Sequence, residues 1–353
     1  VVLACTFFTP LSQLGERSGD RENTSARLAP RVPRNLTCVV PSRMFPYMQS
    51  ADSVLLIRPS HFGFNTQTAS SNSFQSDVRE INPDEIQRLA LVEFDAMVKT
   101  LREKGVRVLA IDDTPTPAKP DAIFPNNWVT FHPDGTVVLY PMHAINRRSE
   151  RRKDILETVS ESYEVRRTID ISGFEQQGKF LEGTGSIVFD HLHMNAFACR
   201  SPRTDADLLK SLTATLGCTP VMFDAVDRNG IQIYHTNVMM CIGTGFAVVC
   251  LESIKGSSSA KNVADALSGR IIIDISFDQM NCFAGNMLEL KGPTDKNLLV
   301  VSTTAWNSLT GTQQNQLADL CDVVLISIPA IERVGGGSVR CMIAEIFLPG
   351  VNL

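Results

Sequence analysis

The chain has 353 residues, 43% of them hydrophobic and 20% charged, and a net charge of -5 from 33 basic and 38 acidic side chains. That composition supports a real core, in one large domain or two modest ones, and lacks the basic footprint of a nucleic-acid binder. No apolar run approaches the roughly 18 to 20 residues of a membrane span, so the expected partner is a small molecule, with no nucleic acid and no membrane.

Residues 1–48 stand apart. They carry Arg17, Arg21, Arg27, Arg31, Arg34 and Arg43, no lysine and no clear periodicity. The stretch reads either as a transit leader, which implies a mitochondrion or plastid, or as a disordered tail, which leaves the protein cytoplasmic. Asn35-Leu36-Thr37 fits a glycosylation sequon, a triplet frequent by chance. Residues 49–353 are expected to form a single catalytic domain. Ser53 to Arg58 (SVLLIR) predicts a strand, and Pro83 to Lys104 a helix behind it.

From there a unit recurs about every fifty residues: strand, turn, strand, helix-like stretch. Copies begin at Trp128, Ser186, Val238, Met287 and Ser338. Pro133-Asp134-Gly135, Gly243-Thr244-Gly245 and Gly292-Pro293-Thr294 supply the hairpin turns. Asp205 to Leu216 and Ala260 to Leu267 read as helices. Such a period suggests a ring of α/β units. The last copy has only strands, so the two chain ends are expected to make one unit together, closing a ring of five.

The nine cysteines are odd in number and lack paired spacing. Cys199, Cys241 and Cys250 lie in apolar, strand-like runs and read as small buried hydrophobes. A disulfide framework is not expected, and a reducing compartment is favoured. Homo-oligomerisation stays open.

One polar or reactive residue is expected at or near the mouth of each unit, and those singled out are Asn127, Glu182, His235 and Cys341. Each is ordinary alone. In a ring, equivalent positions converge, and an amide, a carboxylate, an imidazole and a thiol together suit covalent catalysis. Cys341 follows Gly335-Gly336-Gly337, which lets backbone approach a ligand. A free thiol titrates near about 8.5, so the nucleophile needs help to ionise. Gly183-Thr184-Gly185 lacks the rest of a nucleotide loop and reads as a hairpin turn. His191-Leu192-His193 lies in a turn without spaced ligand partners and reads as surface histidines. Neither a metal nor a cofactor is expected.

At these residues the chain resembles the guanidine-modifying, arginine deiminase-like superfamily, with its five-fold α/β propeller, the pentein fold. Within it the chain is most similar to the citrulline-utilisation hydrolase and amidinotransferase-like branch. The resemblance runs from about Ala51 to Pro349 through IRPSHFGFNTQTASSNSFQ, DAIFPNNW, LEGTGS, SPRT, YHTNVMM, FAGNMLEL and GGGSVRCMIAEIFLP. It implies Cys341 as nucleophile, His235 as general acid/base, and Glu182 as the carboxylate that holds substrate nitrogens. Arg203 is implied as the clamp on an α-carboxylate, with Arg147, or Arg148 instead, as a second one. Asn65 and Asn72 are implied in the pocket loop.

One departure matters. Deiminases and dimethylargininases carry aspartate in F-x-x-D; here Phe124-Pro125-Asn126-Asn127 has asparagine at its end, as two-step arginine dihydrolases do. Asn237 likewise stands where deiminases tend to have aspartate. Asn126, next door, is kept as a substrate-binding candidate. The resemblance therefore implies hydrolysis of citrulline or arginine to ornithine, ammonia and carbon dioxide through a cysteine adduct. Alternatives are an amidinotransferase, an arginine or dimethylarginine deiminase and, outside enzymes, a ribosome-binding factor with the same propeller.

Overall fold

The computed structural model describes residues 48–69, 71–76 and 82–351, so the leader reading and the Asn35–Thr37 triplet lie outside the described residues. The first strand, β1 (Ser53–Arg58), leads through the one-turn helix α1 (Thr66–Ala69) and the long α2 (Pro83–Glu103) to β2 (Arg107–Asp112). Asn82 caps α2, accepting from the Asp84 N–H, and Pro83 sits where a missing N–H costs nothing. Its buried face (Ile86, Ala90, Phe94, Met97, Val98, Leu101) follows helical spacing and packs in one core with Val54 and Leu56 of β1.

Four further units share a plan. They are β3 (Val129–Phe131), β4 (Thr136–Leu139), α3 (Lys153–Ser162) and β5 (Arg167–Asp170); then α4 (Gly183–Ser186), β6 (Val188–Asp190), β7 (Asn195–Cys199), α5 (Ala206–Leu216) and β8 (Thr219–Phe223). The next holds β9 (Met240–Ile242), β10 (Phe246–Val249), α6 (Ser257–Ala266) and β11 (Ile271–Asp274). The last holds α7 (Phe277–Asn281), β12 (Leu288–Leu290), β13 (Asn297–Ser302), α8 (Thr303–Ser308), α9 (Gly311–Leu320) and β14 (Cys321–Ile326). The chain finishes with α10 (Pro329–Gly335) and β15 (Ala344–Glu345).

Among the described residues these strands form five three-stranded sheets. In each of the four units an antiparallel hairpin is followed by a crossover to a third strand parallel to the second. The fifth sheet, β15-β1-β2, joins the two ends of the chain: Leu55 pairs with Ala344 and Val54 with Glu345. The architecture is therefore α/β, and the sheets are small.

Two local expectations are corrected. Gly183-Thr184-Gly185 is not a hairpin turn. It is the single turn α4 running into β6, and the Gly183 φ of 45° brings its backbone against the Asn126 carbonyl, where a Cβ would sit 2.2 Å from that oxygen. His191 is half-buried rather than a surface residue, packed between the rings of Phe189 and Phe347. The strand in the last repeat is also short, because Ser338 to Ile343 spend their backbone in turns: the N–H groups of Cys341, Met342 and Ile343 donate to Ser338, Val339 and Arg340. Cys199, Cys241 and Cys250 are buried, and no described helix is long and apolar enough to cross a membrane.

Candidate active site

The same local device positions each residue singled out by repeat phase. A short turn precedes the first strand of a unit and carries a side chain off the strand end. Asn127 closes the turn Pro125–Asn127 before β3; Glu182 caps α4 before β6; His235 caps the turn Thr236–Val238 before β9. Cys341 sits in the turns before β15. A cavity is lined by Thr68, Asn72, Asp121, Phe124, Asn127, Arg147, Arg203, Tyr234, His235, Gly335, Gly336, Gly337 and Cys341. The glycines are needed for close approach: a Cβ on Gly185 would lie 2.5 Å from Asn127 Nδ2 and 2.7 Å from the His235 ring. One on Gly337 would lie 3.1 Å from the Phe124 ring.

Glu182, fully buried, organises the polar wall. Its Oε2 accepts from His235 Nε2 at 2.8 Å and faces Arg203 Nη1 at 3.4 Å, while Oε1 accepts the His143 N–H at 2.9 Å. Burial penalises its charge, but Arg203, the His235 hydrogen bond and Arg147 outweigh that and hold the carboxyl well below the usual range. An ionised Glu182 makes Nε2 of His235 the donor, which leaves Nδ1 as the acceptor nitrogen of the neutral ring. Burial pushes His235 down to about 4, with Glu182 only partly opposing it. The resting imidazole is neutral.

Burial also pushes His132 down to about 4. Both histidines are depressed in the folded state, so below the ordinary value of 6.5 the unfolded chain takes up protons that the folded one refuses. These two groups are therefore expected to lower stability as pH falls from 6.5 toward 4, by about 2 kcal/mol each at about pH 5. Histidine titration followed by NMR checks this; midpoints near 6.5 for both would refute it.

Arg203 Nε and Nη2 reach Ser71 Oγ at 3.2 and 2.6 Å, Nη2 also donates to the Thr68 carbonyl, and the guanidinium lies 4.8 Å from the Tyr234 ring centre. The Arg147 fork is engaged: Nε and Nη2 clasp Glu150 at 2.8 and 2.9 Å, and Nη1 donates to Asn127 Oδ1 at 2.7 Å. Burial would lower the Arg147 pKa, but Glu150 and Asp121 raise it above the usual arginine range. Arg148 turns away toward Glu175 at 3.3 Å.

Of the other candidates, Asn72 lines the cavity and donates to the Gly335 and Gly336 carbonyls. Asn65, Asn126 and Asn237 stand behind the wall. Asn65 donates to Asp121 Oδ2 at 2.7 Å; Asn126 is fully buried, with neither amide atom partnered; Asn237 Nδ2 lies 3.5 Å from Cys341 Sγ. Two site residues escaped the sequence reading. Asp121 lines the cavity with Oδ1 buried and unpartnered, and only its place in DAIFPNNW signalled it. Asn286 donates from Nδ2 to Cys341 Sγ at 3.3 Å. Repeat phase could have found it, because it directly precedes the copy that begins at Met287. Among the described residues no group of His, Cys, Asp and Glu is placed to hold a metal ion.

Comparison with known proteins agrees on the fold. The N-terminal domain of ArgZ bound to substrate, an arginine dihydrolase from the ornithine-ammonia cycle in Cyanobacteria, superposes with a TM-score of 0.67 at 15% identity, over 84% of this chain and 98% of that one. The binary complex of an AgrE mutant with L-arginine gives 0.66 at 15% identity, over 84% of this chain and 40% of AgrE. DDAH from Pseudomonas aeruginosa, complexed with citrulline, gives 0.60 at 14% identity, over 84% of this chain and 100% of that one. The chain thus spans less than half the length of AgrE and of full-length ArgZ, of which it covers 41%. No curated protein matches. The family model for eukaryotic N,N dimethylarginine dimethylhydrolase matches residues 58–348, so this chain belongs to that family of pentein hydrolases acting on guanidino groups.

Proposed function

We propose that the chain hydrolyses C–N bonds at the guanidino or ureido carbon of a free arginine-like amino acid, taking arginine through citrulline to ornithine, ammonia and carbon dioxide. One observation carries this reading. Arg147 has only donors, so Asn127 must present Oδ1 to it, and Asn127 Nδ2 is left as a buried, unpartnered donor on the cavity wall. A guanidinium offers only N–H groups; a ureido oxygen accepts. A donor at that place therefore suits the ureido group.

The five sheets are read as blades of one closed ring, in which the turns before each first strand meet at the axis. Cys341 attacks the substrate carbon; as the Sγ–C bond forms, its proton passes to His235, which delivers it to the departing nitrogen. Water then adds to the adduct with His235 as base, and the Sγ–C bond breaks. In the first cycle ammonia leaves and citrulline forms. In the second, citrulline and water yield ornithine, carbon dioxide and ammonia. Glu182 stabilises the cationic imidazole and the charge spread over the reacting carbon. Arg203 holds the α-carboxylate, and the unpartnered Asp121 Oδ1, steadied by Asn65, takes the α-ammonium.

The test is to incubate the purified protein with arginine, citrulline, agmatine and methylated arginines and identify products by mass. Ornithine from citrulline supports the reading. Citrulline and dimethylamine from dimethylarginine, with citrulline untouched, would replace it by a dimethylargininase; transfer of the amidino group to an added amine would make it an amidinotransferase. Arg203→Lys is expected to weaken arginine turnover roughly ten- to hundredfold in kcat/KM, because lysine loses the planar fork. Agmatine, which lacks the carboxylate, should be affected less. Equal losses would place Arg203 in support of Glu182 and the Ser71 loop instead.

A further inference from the structure

We propose that Asn286 and Asn237 form a two-amide cradle that favours the Cys341 thiolate as the thiol gives up its proton to His235, which makes Asn286 a catalytic residue of the hydrolase proposed above. The geometry of Asn286 leaves little choice. Its Oδ1 accepts the Arg340 N–H at 3.2 Å, so Nδ2 faces the other way. One Nδ2 hydrogen goes to the Asn237 carbonyl at 2.8 Å, and the other points at Sγ at 3.3 Å. Asn237, tied by that carbonyl, brings its own Nδ2 to 3.5 Å from the same sulfur. Both side chains are fully buried, so neither amide is turned by solvent.

The repeat supports the assignment independently. Four units contribute Asn127, Glu182, His235 and Cys341 from the turn before their first strand. Asn286 holds the equivalent place before β12, and it is the remaining unit's contribution to the same centre. An amide donates to a thiolate far more strongly than to a thiol, because the hydrogen bond becomes charge-assisted. Burial prevails and keeps the Cys341 thiol above its ordinary value, and the Asn286 hydrogen bond is the largest influence acting against that burial.

Neutral donors have a chemical consequence that a cationic partner would not. The cradle acts on the nucleophile before substrate arrives and whatever the substrate's charge. A site that relies on a bound guanidinium to ionise its cysteine loses that help with a ureido substrate; this one keeps it. A carboxylate at position 237, the pattern noted for deiminases, would instead repel the thiolate.

The experiment is alkylation of the substrate-free protein by iodoacetamide, a neutral reagent, followed from neutral to alkaline pH with the modified peptide identified by mass. Asn286→Ser and Asn237→Ser are each expected to move the Cys341 midpoint up by about one unit, slowing alkylation near neutrality about tenfold. Asn286→Asp should move it further, since a carboxylate then faces the sulfur. An unchanged midpoint in folded Asn286→Ser, or a lowered melting temperature without a shift, would overturn the cradle and leave Asn286 as a tie between backbone segments. If Asn286→Ser does not fold, Asn237→Ser decides by the same readout. The assay needs no substrate, so a shifted midpoint in a protein that leaves arginine and citrulline intact would uphold the cradle and defeat the hydrolase reading alone.

Discussion

Cys341→Ala is expected to lower turnover by on the order of 10⁴-fold or more, with the melting temperature nearly unchanged. Among the described residues the sulfur is the only soft nucleophile on the cavity wall, so its loss removes the covalent route and leaves only binding and polarisation. Folding should tolerate the change. Cys341 is 4% exposed and packs beside Val339, Met342 and Ile343, which keep their contacts when one sulfur is removed. The amides of Asn237 and Asn286 lose an acceptor, a cost of about 1 kcal/mol. Turnover and melting on the same preparation check this, with Cys199→Ala and Cys241→Ala as controls. Near-normal turnover in folded Cys341→Ala would eliminate this nucleophile, and loss of activity in a folded control would point to another thiol.

Asn127→Asp is expected to shift the product from arginine by at least about tenfold toward citrulline. One carboxylate oxygen would replace Oδ1 against Arg147, a contact that remains favourable. The other would replace Nδ2, so that an acceptor faces the reacting group. A guanidinium gains an ionic partner; a ureido oxygen meets repulsion. The first cycle should therefore persist while the second slows and citrulline accumulates. Chromatography of products from both variants reads the ratio. A parent protein that releases only citrulline, and leaves added citrulline intact, would defeat the argument. Asn126→Asp should be compared before the idea is abandoned, although the burial of Asn126 behind the wall predicts a fold defect instead.

Elements with a strong local signal were legible. SVLLIR forms the strand expected over Ser53–Arg58, and the helix expected over Pro83–Lys104 ends one residue earlier, at Glu103. The helix expected over Asp205–Leu216 has Asp205 as its N-cap. Hydrophobic period and cap residues decide these within one element. GTG after Glu182 misled because glycines serve a turn and a close approach equally well, and which one applies depends on the Asn126 backbone across the fold.

Residue types and repeat phase, both properties of the sequence alone, marked Asn127, Glu182, His235 and Cys341 and suggested that the chain's ends share a sheet. What only the tertiary structure decided is the direction each polar group faces. The Arg147 guanidinium is taken by Glu150, Asn127 is turned by Arg147, and the Asp121 carboxylate keeps one oxygen unpartnered. Asn286 is turned toward sulfur because the Arg340 N–H claims its oxygen. An amide or a carboxylate has the same composition in every orientation. Partners brought from distant units, in a buried site where each unpaired group is costly, select the orientation that sets the chemistry.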